Sequence, residues 1–108
     1  MITIHKNKYY YFADDDGAFA LSALTGIRIK RKRWHINAEY IDNVILMLDS
    51  YNLPYCIIRD GELVISKTGS EANENAMITL GAKIDKLQKY IRSENSRIRR
   101  KLNNSNSL

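Results

Sequence analysis

The stretch Tyr9-Tyr10-Tyr11-Phe12-Ala13-Asp14-Asp15-Asp16-Gly17-Ala18-Phe19-Ala20-Leu21-Ser22-Ala23-Leu24-Thr25-Gly26 decides the fold class. Tyr9 to Phe12 is a strand signal, because aromatic side chains fit a pleated, half-buried surface. Three aspartates then precede Ala18, Phe19, Leu21, Ser22 and Leu24. Acidic residues favour the positive end of a helix, and the apolar residues behind them recur at helical spacing. Gly26 suits the C-cap, where a left-handed backbone carries no steric cost. A strand running straight into a helix is the unit from which α/β layers are built.

Working outward, Ile2-Thr3-Ile4 reads as a short strand, with His5 to Lys8 as the hairpin turn. Ile27 to Ile36 reads as a further strand. Its alternation places Ile27, Ile29, Arg31 and Arg33 on one face and Arg28, Lys30, Lys32 and Trp34 on the other. Asn37 is placed to cap a helix in which Tyr40, Ile41, Val44, Ile45 and Leu48 recur at three- and four-residue spacing. That helix ends near Tyr51-Asn52, because Pro54 cannot continue it. Tyr55 to Ile58 and Leu63 to Ile65 flank Asp60-Gly61, a tight-turn dipeptide, and form a hairpin. Lys67 to Gly69 is a loop, and Ser70 with Glu71 opens a long final helix that decays after Leu102. The expectation is an α/β chain, a small mixed sheet in β-α-β-α-β-β order with a long C-terminal α-helix. It divides into residues 1–69 as the α/β domain, 70–102 as the helix, and 103–108 as a disordered polar tail.

A chain of 108 residues is one domain in size, and 44% apolar with 27% charged residues is a globular balance. The single cysteine, Cys56, excludes an intramolecular disulfide and a zinc cluster of cysteines. No secretory signal is expected, since no apolar segment follows a basic one at the start, and no apolar run reaches the roughly eighteen residues of a membrane span. A cytoplasmic location is the expectation, with no membrane association.

Seventeen basic residues against twelve acidic ones leave a net charge of +5. The excess is uneven: residues 1–69 hold nine Lys/Arg and eight Asp/Glu, whereas residues 70–108 hold eight and four. DNA or another polyanion is the expected partner, and an acidic protein surface is the alternative. Arg28-Ile29-Lys30-Arg31-Lys32-Arg33-Trp34 is the densest run. Its cations can neutralise phosphates, and an adjacent indole can stack on a base or sugar. The candidate nucleic-acid contacts are Arg28, Lys30, Lys32, Arg99 and Arg100 for phosphates, with Trp34, Tyr10 and Phe12 for bases.

Nothing points to catalysis. Asp14 to Asp16 is the only acidic cluster, and a two-metal nuclease needs further carboxylates converging from elsewhere. His5 and His35 lie on different elements, and Cys56 sits in an apolar run. No glycine pattern for phosphate binding occurs. No catalytic residue, metal site or cofactor is expected.

In the final helix Met77, Leu80, Ile84, Leu87 and Ile91 follow a heptad seam, and Ile98 rejoins the register. Glu94 and Lys101 occupy later seam positions. A homodimer paired through this seam is the expectation, because a small sheet cannot cover so long a helix.

From Tyr9 to Asp60 the order of features resembles the N-terminal mismatch-recognition domain of MutS-type DNA repair proteins. The residues that carry the likeness are Tyr9-Tyr10-Tyr11-Phe12, Asp16-Gly17-Ala18, Ile27-Arg28-Ile29-Lys30, the helix around Tyr40 to Leu48, and Tyr55-Cys56-Ile57-Ile58. The resemblance implies DNA binding without the family's ATPase, which has no counterpart here. The family reads mismatches with Phe-x-Glu. Aligned on Asp16 and Ala18, those positions hold Tyr10 and Phe12, and a two-residue slip gives Phe12-Ala13-Asp14.

Overall fold

A computed structural model describes residues 1–106 of the chain. The five strands are β1 (Ile2–Lys6), β2 (Tyr10–Asp14), β3 (Arg33–Asn37), β4 (Tyr55–Arg59) and β5 (Glu62–Lys67). The helices are α1 (Asp15–Thr25), α2 (Ile41–Ser50) and α3 (Glu71–Asn106). The strands form one mixed sheet in the order β3-β2-β1-β4-β5. Only the β1–β4 pair is parallel; β1–β2, β2–β3 and β4–β5 are antiparallel.

The two faces of the sheet follow from the alternation of each strand. Ile2 and Ile4, Tyr11 and Ala13, Trp34, and Tyr55 and Ile57 turn to one face and are buried. The register sets them side by side, with Ile2 beside Tyr55, Ile4 beside Ile57 and Ala13 beside Trp34. Ala18, Ala20 and Leu21 of α1 and Val44 and Leu48 of α2 complete this core. Each fully buried aliphatic side chain contributes about 1.5–3 kcal/mol. The opposite face carries Thr3, His5, Tyr10, Phe12, Asp14, Arg33, His35, Asn37 and Cys56, with Thr3 beside Cys56, His5 beside Phe12, Phe12 beside His35, Asp14 beside Arg33 and Tyr10 beside Asn37.

Several local expectations hold. Gly26 caps α1 in the left-handed region, its N–H donating to the Ser22 carbonyl at 2.9 Å. Asp60 and Gly61 both take positive φ, which gives the β4–β5 hairpin its turn. The Ser70 hydroxyl accepts from the Asn73 N–H at 3.1 Å and so caps α3. Other expectations are corrected. A 3₁₀ turn, Ala38–Tyr40, stands between β3 and α2, and Asn37 makes no side-chain cap. Helix α3 continues past Leu102 to Asn106, so the tail expected over 103–108 is helical through 106; residues 107–108 lie outside the described residues.

The reading of Ile27 to Ile36 as one strand is also corrected, since β3 begins only at Arg33. Arg31 and Lys32 have φ of 53° and 65°, and Lys30 and Arg33 exchange two backbone hydrogen bonds of 3.0 Å. This is a two-residue reversal of the type I′ kind, with both central residues in the left-handed region. The alternation expected through the run is broken there. Arg33 and Trp34 resume it on β3, with Trp34 facing the core.

Helix α3, about 54 Å long at 1.5 Å per residue, sets the 61 Å long dimension of the molecule. Its first turns are tied down by polar contacts. The Ser70 N–H donates to the Asn52 carbonyl at 2.7 Å, Asn73 Nδ2 to the Tyr51 carbonyl at 2.9 Å, and the Met1 ammonium to Glu74 Oε2 at 2.9 Å. Further along, Gly81 lies against the backbone of Phe19 in α1, so closely that a Cβ at this position would collide with the Phe19 carbonyl. Overpacking of this kind costs typically 1–3 kcal/mol and occasionally more. Gly81→Ala, despite its better helix propensity, is expected to lower the unfolding free energy by about 2 kcal/mol or more in urea denaturation.

Candidate functional site

The open face of the sheet is the first component of the site. Tyr10 and Phe12 are two residues apart on β2, so both side chains leave the same side. Phe12 sits between His5 of β1 and His35 of β3, its direct cross-strand partners. The rings of His5 and Phe12 stack at 5.2 Å with 22° between planes. Tyr10 lies 6.1 Å from Phe12 and 5.7 Å from His35, tilted against both. The Arg33 guanidinium covers Phe12 at 4.1 Å from the ring centroid. His35 is exposed, while His5, Tyr10 and Phe12 are half-buried flank to flank. The result is an aromatic surface with a cation resting on it.

The turn Lys30 to Arg33 is the second component. It rises at the end of β3, and with Tyr10, His35 and Asn37 it lines a groove on the open face. Arg33 is held by Asp14, Nε to Oδ1 at 2.8 Å and Nη2 to Oδ2 at 3.3 Å. That hydrogen bond raises the Arg33 pKa further above its ordinary value, so its charge is constant across any working pH. Arg31 and Lys32, at the tip, are exposed.

The same turn lines a second groove on its other side. There Lys30, Arg31 and Lys32 face Lys89 and Arg92 of α3 across a floor of Ala18, Phe19 and Ile29. Asp15 and Asp85 are the carboxylates in this groove, and Asp85 Oδ2 is 2.9 Å from Lys89 Nζ.

The structure therefore brings Tyr10, Phe12, Lys30 and Lys32 into one neighbourhood and separates the other candidates. Trp34 is corrected: it has 0% exposure, and its indole N–H donates to Thr25 Oγ1 at 3.0 Å. It is a core residue, beside the small Ala13 on the covered face, and cannot stack on a ligand. Arg28 is exposed but lines neither groove. Arg99 and Arg100 are exposed on α3 beyond Arg92, the last helix residue to reach a groove, by about 10 Å of helix. Arg33 joins the site from the basic run, and His5, His35, Lys89 and Arg92 join it although none was expected as a nucleic-acid contact. The alternation Tyr10/Phe12 against Tyr11/Ala13 is the signal that could have exposed the ring surface. Nothing local marks Lys89 and Arg92, whose position depends on how α3 docks.

The heptad seam is divided. Met77 packs against the core and Ile84 is half-buried, so two of its five members turn toward the domain rather than outward. Leu80, Leu87, Ile91 and Ile98 remain exposed, at 47%, 57%, 48% and 52%. Among the described residues no helix is long and apolar enough to cross a membrane. Comparisons of the chain with known protein families, with curated proteins and with solved structures gave no match.

Positive φ costs a non-glycine residue roughly 1–2 kcal/mol, and the turn accepts that cost twice in succession. Asn-Gly is the pair such a turn favours. Arg31→Asn with Lys32→Gly is therefore expected to raise the unfolding free energy by about 1 kcal/mol, measured by urea denaturation.

Proposed function

We propose that the chain is a small, non-enzymatic module that binds nucleic acid with weak sequence preference. The observation that carries this reading is the strained cationic turn standing beside a groove lined by Tyr10 and His35, on a sheet face with no helix over it. Strain maintained at a surface turn, where a relaxed pair would serve the fold better, is a mark of function. The four cations from Lys30 to Arg33 supply phosphate contacts, which position a strand without reading its sequence. Tyr10 and His35, which line the groove beside the turn, supply ring faces on which a base can stack, whereas Phe12 is already held between His5 and Arg33. The likeness to the MutS-type domain agrees in that Phe12 and Asp14 share the open face, two residues apart. Asp14 is engaged by Arg33, however, and so is not free to probe a base.

Lys30→Glu with Lys32→Glu is expected to weaken binding of a labelled oligonucleotide more than about tenfold at low salt, with the fold intact by circular dichroism. It also flattens the dependence of log K on log salt. Equal binding by wild type and variant removes the reading.

A protein-binding role is favoured by a separate observation, the exposed stripe Leu80, Leu87, Ile91 and Ile98 on α3. Its occupant in this reading is a second copy of the chain. Half-burial of eight such side chains across a pair contributes of the order of 8 kcal/mol gross. Association itself costs about 4–15 kcal/mol, so at most about 4 kcal/mol remains and pairing is confined to about the millimolar range or weaker. Sedimentation equilibrium is expected to give a concentration-dependent mass for the wild type and a constant monomer mass for Leu87→Asp. A wild-type monomer throughout removes the dimer.

A further inference from the structure

We infer that the nucleic acid is single-stranded, and that its backbone continues past the Lys30–Arg33 turn into the groove along α3. This rests on the reading of the turn and the open face as the binding surface, and it specifies the ligand and its path.

Three features carry it. The rings of Tyr10 and His35, 5.7 Å apart and tilted by 60°, line the groove on the open sheet face, and a duplex conceals the base faces that such rings would take up. The turn is the common wall of two grooves, since Lys30, Arg31 and Lys32 line both. A strand with bases on the sheet brings its phosphates to the turn, and its next nucleotides meet Lys89 and Arg92 on the far side. A duplex, stiff over about 150 base pairs, does not fold round a two-residue tip, whereas a single strand does.

The chemistry of the second groove matches a continuing strand. Five cations oppose two carboxylates, and with Lys89 and Asp85 paired, four cations remain against Asp15. The floor of Ala18, Phe19 and Ile29 is apolar and suits a sugar or base edge between phosphates. The close contact of Gly81 with Phe19 sets how near α3 lies to α1, and with it the width of the groove.

Fluorescence anisotropy with oligothymidylates of about four and about sixteen nucleotides, the range covered by one compact single-strand module, tests the path. The variant Lys89→Gln with Arg92→Gln removes both cations of the α3 wall and also releases Asp85 from its pair with Lys89. It is expected to weaken the long oligomer by about tenfold and the short one by less than about twofold. Arg99→Gln with Arg100→Gln removes the same charge outside both grooves and is expected to leave both oligomers within about twofold. Thermal melts monitored by circular dichroism confirm that each variant is folded; Arg92→Gln alone, which leaves the Lys89–Asp85 pair in place, serves if the double variant is not. Three results would overturn the inference. If the α3 variant binds the long oligomer as the wild type does, or no more weakly than the Arg99/Arg100 control, the groove is not on the path, and the sheet-face reading stands. If a sixteen-base-pair duplex binds as tightly as the single strand, the single-strand assignment fails. If the wild type binds neither oligomer nor duplex, the underlying reading fails as well.

Discussion

The contact between Gly81 of α3 and the Phe19 backbone of α1 is the constraint on which the layout of the surface depends. Helix against helix at backbone distance is possible only where one residue has no side chain, and Gly81 occupies that point. Because α3 docks on α1, it stays on the side of the sheet already covered by α1 and α2. The opposite face is therefore left with no helix to bury it. A single sheet of five strands with helices on one side must present its other face to solvent or to a ligand. Here that face mixes polar and charged residues with aromatic rings. Rings occupy β1, β2 and the edge strand β3, with Arg33 lying over one of them at 4.1 Å.

The turn at Arg31-Lys32 shows a conflict between local conformation and charge, decided for charge. Asp60-Gly61, at the other hairpin of the sheet, has a sequence that fits its backbone, whereas Arg31 and Lys32 adopt similar φ values without that help. The two hairpins have comparable geometry and opposite chemistry. Mutual repulsion within the run adds to the backbone strain, and only the Arg33–Asp14 pair relieves it on the sheet side. Exposed pairs of this kind contribute about 0–1 kcal/mol, less than the strain. An anion seated beside the turn would relieve the repulsion that the fold leaves in place.

The sequence made the skeleton legible because its signals are local. The aspartates and Gly26 bracket α1, Pro54 stops the chain after α2, Asp60-Gly61 marks a hairpin, and Ser70 marks the start of α3. The α/β class, the mixed sheet and the long final helix all follow from such marks. The basic run misled for a physical reason. Alternation of β-branched and long side chains describes a strand equally well up to Lys30, and a type I′ turn without Asn or Gly carries no local sign. Trp34 was misplaced by the same error, because one reversal changes which side of the sheet each later residue faces. The site was half legible: Tyr10, Phe12, Lys30 and Lys32 could be read from the chain. Lys89 and Arg92 could not, since their partners across the groove lie almost sixty residues earlier in sequence.

Beyond Arg92 the helix leaves the domain, and its stability there has a different origin from that of its first half. An isolated helix of fewer than about twelve to fifteen residues is marginal in water, because nucleation is costly. Helix α3 avoids that cost, since the turns packed on α1 serve as the nucleus and the distal residues need only propagate it. Propagation is weakly supported: the Arg97–Glu94 pair, at 3.5 Å, is the one ion pair recorded beyond Arg92 among the described residues, and such pairs contribute about 0.2–0.5 kcal/mol. Against it stand Arg97, Arg99, Arg100 and Lys101, four cations within about one and a half turns, whose repulsion is unscreened at low salt. Salt thus acts with opposite sign on the two halves of the basic surface. It relieves the crowding at the helix tip, and it weakens every phosphate contact at the turn. A polyanion has no such opposition, since it satisfies the turn and lowers the potential felt along the helix at once.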